Sequence, residues 1–156
     1  MQKLDSFDYK ILAILQEKAR INFEKIGSDI GLSSASVHRR IRKLKEIGVI
    51  KNDVSILDGE KLGYSMTMII GIKLERERYD LLHDFEKKIA AIPEVQQCYY
   101  VTGDVDFILI TKVRNLKHYE KLTKAAFFDH SNVKNFTTNV VLRDIKVGLT
   151  LPLNSL

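Results

Sequence analysis

The chain has 156 residues, 45% of them hydrophobic, with a formal charge of +5 and a pI of about 9.2. That is enough for one domain or two small ones, and the basic balance suits an anionic partner. A single cysteine, Cys98, excludes an internal disulfide framework and fits a reducing, cytoplasmic setting; the N-terminal MQKLDSFDYK lacks a signal peptide's apolar core, and no apolar run could span a bilayer.

Residues 4–47 read as three helices. Asp5 is placed to cap the first, with Asp8 three positions on as in a capping box, and Phe7, Ile11, Leu12 and Leu15 recur at helical spacing. Asn22 caps a second helix carrying Ile26 and Ile30, and Gly31 stops it. Leu32 plugs the turn, Ser33 caps a third helix that buries Val37, Ile41 and Leu44, and Gly48 closes it. Three short helices with a tight turn before the third make a helix-turn-helix.

Residues 49–57 (VIKNDVSIL) hold two short β-prone runs and read as a wing hairpin. Residues 58–63 (DGEKLG) read as the linker. Beyond them the period changes. Residues 64–75 alternate as a strand, 78–92 form an amphipathic helix ending before Pro93, and 95–102 and 105–113 are strands. Residues 116–128 form a second helix and 133–147 a last strand. The order βαββαβ is ferredoxin-like. The predicted fold is therefore α+β: residues 1–57 a winged helix-turn-helix domain, 64–147 a ferredoxin-like domain, and 148–156 a tail.

A two-residue turn at Gly103-Asp104 sets Tyr100 opposite Phe107 and Val101 opposite Asp106. Both faces of the sheet are then largely apolar near the turn, yet two helices cover only one face. A half-solvated antiparallel sheet should alternate apolar with polar, so the second face is expected to pack on another copy of the chain.

The third helix carries Arg39, Arg40, Arg42, Lys43 and Lys45 with no acid among them. With Val37, Ile41 and Leu44 inward, at about 100° per residue, Ala35, Arg39 and Arg42 point outward. Small residues (Ser34, Ser36) come first and His38 and long cations follow, the layout of a helix that enters the major groove of double-stranded DNA. The plain alternative is a solvated cationic face. Arg40 lies near the edge of the buried stripe, so an ion pair within the domain competes with a phosphate contact. The four histidines show no metal-ligand spacing, and no nucleophile–base pair, phosphate loop or metal cluster marks an enzyme or a cofactor. Cys98 reads as a small buried apolar residue.

The acidic hairpin YYVTGDVDFILI admits three readings: a turn satisfied by Asp104, a small-molecule pocket, or a divalent-cation site on Asp104 and Asp106. Asp106 faces an otherwise apolar surface and demands more explanation than the turn supplies.

The stretches LDSFDYKILAILQEKARINFEKIGSDIGLSSASVHRRIRKLKEIGVI, CYYVTGDVDFILI and VVLRDIKV, in that order, resemble the leucine-responsive regulator (Lrp)/AsnC family of transcription factors. The resemblance implies a DNA-binding regulator that dimerises through the ferredoxin-like domain, assembles further, for example to an octamer, and binds an amino acid between dimers. Carried over by position, it places Tyr100, Thr102, Gly103, Asp104 and Asp106 at the effector pocket, with Thr138 on the last strand facing it. Phe136 stands where relatives often have threonine and could narrow the pocket; the wing lacks the usual tyrosine near Asp53, and Lys18-Ala19-Arg20 replaces an aspartate-glycine-arginine. The competing reading is a metabolite-binding ferredoxin-like protein whose helical domain binds another protein.

Overall fold

The computed structural model describes residues 3–18, 20–76, 78–128 and 130–153; the last three positions of the predicted tail lie outside them. The chain divides into two compact units, one of Met1–Ile56 with Lys146–Leu156 and one of Leu57–Ile145.

The first unit holds α1 (Ser6–Glu17), α2 (Phe23–Ile30) and α3 (Ser34–Glu46). Each starts at a side-chain cap that satisfies free N–H groups of the first turn. The Asp5 carboxylate accepts from the N–H groups of Phe7 (2.9 Å) and Asp8 (3.0 Å), and the Asp8 carboxylate accepts from Asp5 N–H at 3.1 Å. Asn22 caps α2 and Ser33 caps α3. Ile11, Ile26, Val37, Ile41 and Leu44 form the buried centre, ringed by Leu4, Leu15, Phe23 and Leu32. The turn between α2 and α3 is tight: a Cβ at Gly27 would lie 2.3 Å from the Leu32 carbonyl oxygen, so only glycine fits there. The tail returns to this unit, where the Gln16 side-chain amide exchanges two hydrogen bonds with the Leu151 backbone (2.7 and 3.2 Å).

The wing expected at residues 49–57 is not formed. Among the described residues no strand lies between α3 and residue 66, and Val54, Ile56 and Leu57 are exposed. The β propensity is present, but a lone two-stranded hairpin is marginal without a surface to pack on. Residues 58–63 are a hydrogen-bonded turn rather than a slack linker: the Gly59 carbonyl accepts from Leu62 N–H (3.1 Å) and Tyr64 N–H (2.8 Å).

The second unit runs β1 (Met66–Leu74), α4 (Tyr79–Ala90), β2 (Val95–Tyr100), β3 (Phe107–Val113), α5 (Leu116–Thr123), a π-helical turn (Lys124–Phe128) and β4 (Val133–Val140). The sheet order is β2-β3-β1-β4, all antiparallel, as a ferredoxin-like unit requires. The hairpin register sets Tyr100 opposite Phe107 and Cys98 opposite Leu109, as expected. The strands end at Tyr100 and Phe107, however, so residues 101–106 rather than Gly103-Asp104 alone make the connection, held by Val101 N–H on the Asp106 carbonyl (2.9 Å). Met68, Ile70, Ile72, Phe107 and Leu109 pack with Phe85, Ile89, Leu122 and Phe127 into one core. On the other face Ile69, Ile108 and Ile110 are only partly buried, and Tyr99 is exposed. The last strand stops at Val140, short of the expected Val147, and Leu142, Ile145 and Val147 are exposed. Beyond Val140 one further backbone bond, from Val141 N–H to the Thr67 carbonyl (3.0 Å), holds the chain to β1. Among the described residues the pairing goes no further, so alternation alone does not extend the strand.

Candidate functional site

Two sets of residues need placing: the cations of α3 and the residues around the β2–β3 hairpin.

On α3, burial of Val37, Ile41 and Leu44 turns the opposite face to solvent. His38, Arg39, Arg42 and Lys43 are exposed there; Ser34 and Ser36 are partly buried at the N-terminal end. The Ser36 hydroxyl accepts from Ser33 (3.0 Å), and the His38 ring lies 5.4 Å from that of Phe23. Arg39 and Lys43 have no carboxylate within 4 Å among the described residues, whereas Arg42 pairs with Glu46 at 2.9 Å. That pair is largely exposed and so is weak and readily exchanged for a phosphate. Lys45 reaches Asp53 at 2.5 Å.

For Arg40 the structure shows the ion pair within the domain that competed with a phosphate contact. Its guanidinium turns inward, bridging Asp5 (2.8 Å) and Asp8 (2.7 Å) over the Phe7 ring. Its hydrogen bond to Asp8 holds the guanidinium above its ordinary pKa, while the Asp8 backbone N–H and then Arg40 hold Asp5 below the usual carboxylate value. Arg40 thus ties α3 to the cap of α1 and fixes the angle at which the outward residues are presented.

At the hairpin, Thr102, Gly103 and Asp104 are exposed, and Gly103 has φ 122°, in the region that favours glycine. Tyr100 is 58% exposed with its ring 5.0 Å from that of Phe107. Asp106 is buried, and its carboxylate accepts from Leu74 N–H (2.7 Å) and Lys73 Nζ (3.2 Å). It fastens the end of β1, which is the stronger reason its position demanded. Phe136 lies between Phe127 (5.0 Å) and Phe128 (5.4 Å), and the Thr138 hydroxyl bonds the Tyr119 hydroxyl. Phe128 is a neighbour of Phe136 that sequence reasoning missed. The π-helical turn widens the helix end so that both phenylalanines reach Phe136; the FF doublet was the only signal.

One chain does not bring the residues expected at the effector pocket together. The pairings align Tyr100, Phe107, Ile72 and Phe136 in one row across the sheet. With strands about 4.8 Å apart, Tyr100 and Phe136 sit at opposite edges, roughly 14 Å from each other. Among the described residues no three metal-ligating side chains cluster, and Asp106 is already engaged. Cys98, expected to be buried, is exposed on the edge strand; partial burial and then Glu86 raise its thiol pKa, the reverse of activation.

Comparison with known proteins bears on both sets. Residues 4–45 match the AsnC-type helix-turn-helix domain, and residues 67–151 the Lrp/AsnC ligand binding domain. An HTH-type transcriptional regulator of Sinorhizobium fredii is 37% identical over 151 residues, covering 97% of this chain and 89% of the relative. The glutamate uptake regulatory protein of Zymomonas mobilis is 34% identical over 155 residues, covering 98% and 93%. A transcriptional regulator of Neisseria meningitidis, solved in complex with L-Met, superposes with a TM-score of 0.92 at 27% identity, covering 98% of this chain and 99% of that one. A three-helix unit presenting cations on its third helix, joined to a βαββαβ unit, each matching its domain of the family, makes this chain a member of the Lrp/AsnC family of transcriptional regulators.

Proposed function

We propose that this regulator binds specific DNA sequences through α3, and that an amino acid bound at a seam between copies tunes its assembly or DNA affinity. The separation of Tyr100 and Asp104 from Phe136 and Thr138 carries the second half of the reading. Residues at opposite edges of one sheet form a single pocket only when a second copy brings its other edge alongside. The partly buried isoleucines of the uncovered face supply an apolar surface on which a dimer forms, and the sheet edges then join dimers into a larger ring such as an octamer. The Neisseria relative's complex with L-Met, and the Zymomonas relative's being a glutamate uptake regulatory protein, support an amino acid as the effector class.

The hairpin chemistry suits a zwitterion. Backbone N–H groups near Gly103 can meet the carboxylate, because glycine lets the ligand approach closely. Asp104, exposed and without a salt bridge among the described residues, can take the ammonium. Linkage requires that DNA or assembly alter effector affinity by the factor the effector imposes on them. The test is DNA binding to the chain's own promoter, with sedimentation in parallel, across all twenty amino acids. At least one should shift assembly or affinity fivefold or more, and Asp104→Ala should abolish the shift. A flat response to all twenty removes the effector half of the reading; equal affinity for promoter and random DNA removes the other.

A further inference from the structure

The second unit holds a basic cleft that the effector reading does not use. It has a volume of about 410 Å³ and lies at the end of β3 where α5 begins. β3 runs from Phe107 to Val113, so at about 3.4 Å per residue the cleft is roughly 20 Å from the Gly103 hairpin. Arg114, Lys117 and Lys121 line it against one carboxylate, Glu94.

That carboxylate is occupied. Glu94 Oε1 lies 2.9 Å from His118 Nε2, while His118 Nδ1 accepts from the Arg114 backbone N–H at 3.3 Å. Among the described residues none of the three cations has a carboxylate within 4 Å. Arg114 is nevertheless held in place. Its guanidinium lies 5.0 Å from the Tyr64 ring centroid and donates to the Tyr64 hydroxyl at 3.3 Å. An arginine positioned by a neutral aromatic keeps its charge and most of its donors for an outside acceptor.

The helix itself raises the cost of this arrangement. Lys117 and Lys121 are i and i+4 on α5, where like charges repel. Lys117 also sits in the first turn, at the positive end of the helix, and no acid accompanies it. An anion in the cleft would offset both unfavourable terms at once. We propose that this cleft binds a phosphate group, carried either by a small phosphorylated metabolite or by the DNA backbone. The flat fork of Arg114 suits two phosphate oxygens, with the lysines as flanking point charges.

The experiment uses the full chain and three proteins: wild type, Lys117→Gln/Lys121→Gln, and a charge-matched control, Lys87→Gln/Lys124→Gln. Each is titrated with inorganic phosphate and with adenosine monophosphate at constant ionic strength, and its DNA affinity is measured against salt. Saturable phosphate binding that weakens at least tenfold in the cleft variant but not in the control establishes a small-ligand site. No free-phosphate binding, with a salt slope for DNA lower by about two in the cleft variant alone, assigns the phosphate to DNA. Loss of neither, or equal loss in the control, overturns the proposal. Asp104 lies outside the cleft, so failure here leaves the effector reading untouched, and the reverse holds.

Discussion

α3 and the β2–β3 hairpin carry the residues read as functional, and the fold treats them differently. On α3, one stripe is buried by the same unit and everything opposite it is presented outward, so the surface is complete within one chain. At the hairpin, the sheet order sends Tyr100 and Phe136 to opposite edges, and the proposed site is half a site until another copy arrives. A helix sorts functional from structural residues by angle; a sheet sorts them by edge, and an edge is finished by its neighbour.

The contrast can be broken in either unit, and the largest expected effect is in the sheet. Phe107 is buried between Phe85 and Tyr100. Phe107→Ala should cost about 3–5 kcal/mol in the unfolding transition of the second unit, read by urea denaturation, and leave that of the helical unit unmoved. A single merged transition would show that the units are not independent.

Asp106→Ala comes next. It strands the buried Leu74 N–H, at a cost of about 1–3 kcal/mol, and the melting temperature should fall with no ligand present. Unchanged stability with lost effector binding would return Asp106 to the pocket.

On α3 the comparison sharpens between neighbours. Arg40→Gln should cost about 1–2 kcal/mol of stability and barely move the salt dependence of DNA binding. Arg42→Gln should do the reverse, lowering the salt slope by about one with stability nearly unchanged. The reverse result for either would invert the assignment of inward and outward arginines.

The smallest effect is a pH dependence in the second unit. Burial against Phe85, and then Lys88, holds the His130 imidazole below its ordinary value of 6.5. Above that pH both folded and unfolded chains are neutral there. Below it the unfolded chain takes the proton first, so stability should fall as pH drops from about 6.5. His130→Gln should flatten that slope in denaturation curves taken between pH 7.5 and 5.5.

What could be read from the sequence was what is local. Asp5 with Asp8, Asn22, and Ser33 cap N–H groups within three residues of themselves. The pairing of Tyr100 with Phe107 follows from alternation about Gly103-Asp104, although the strands stop short of the turn. The inward turn of Arg40 and the clasp of Asp106 on Leu74 join residues more than thirty apart; spacing marks Arg40 at the edge of the buried stripe and Asp106 on an apolar face, but it does not name the partner of either. Residues 49–57 and the stretch after Val140 have the composition of strands but form none among the described residues. Composition states a willingness to pair, and neighbours decide whether pairing happens.

The contact between Gln16 and Leu151 has a consequence in time. The three helices that Gln16 belongs to emerge first during synthesis, yet the backbone that completes its hydrogen bonds is made 135 residues later. At about 5–20 residues per second, that is a wait of roughly seven to thirty seconds. Throughout it the helical unit can fold, but the whole second unit must be translated before the segment that finishes the first one exists.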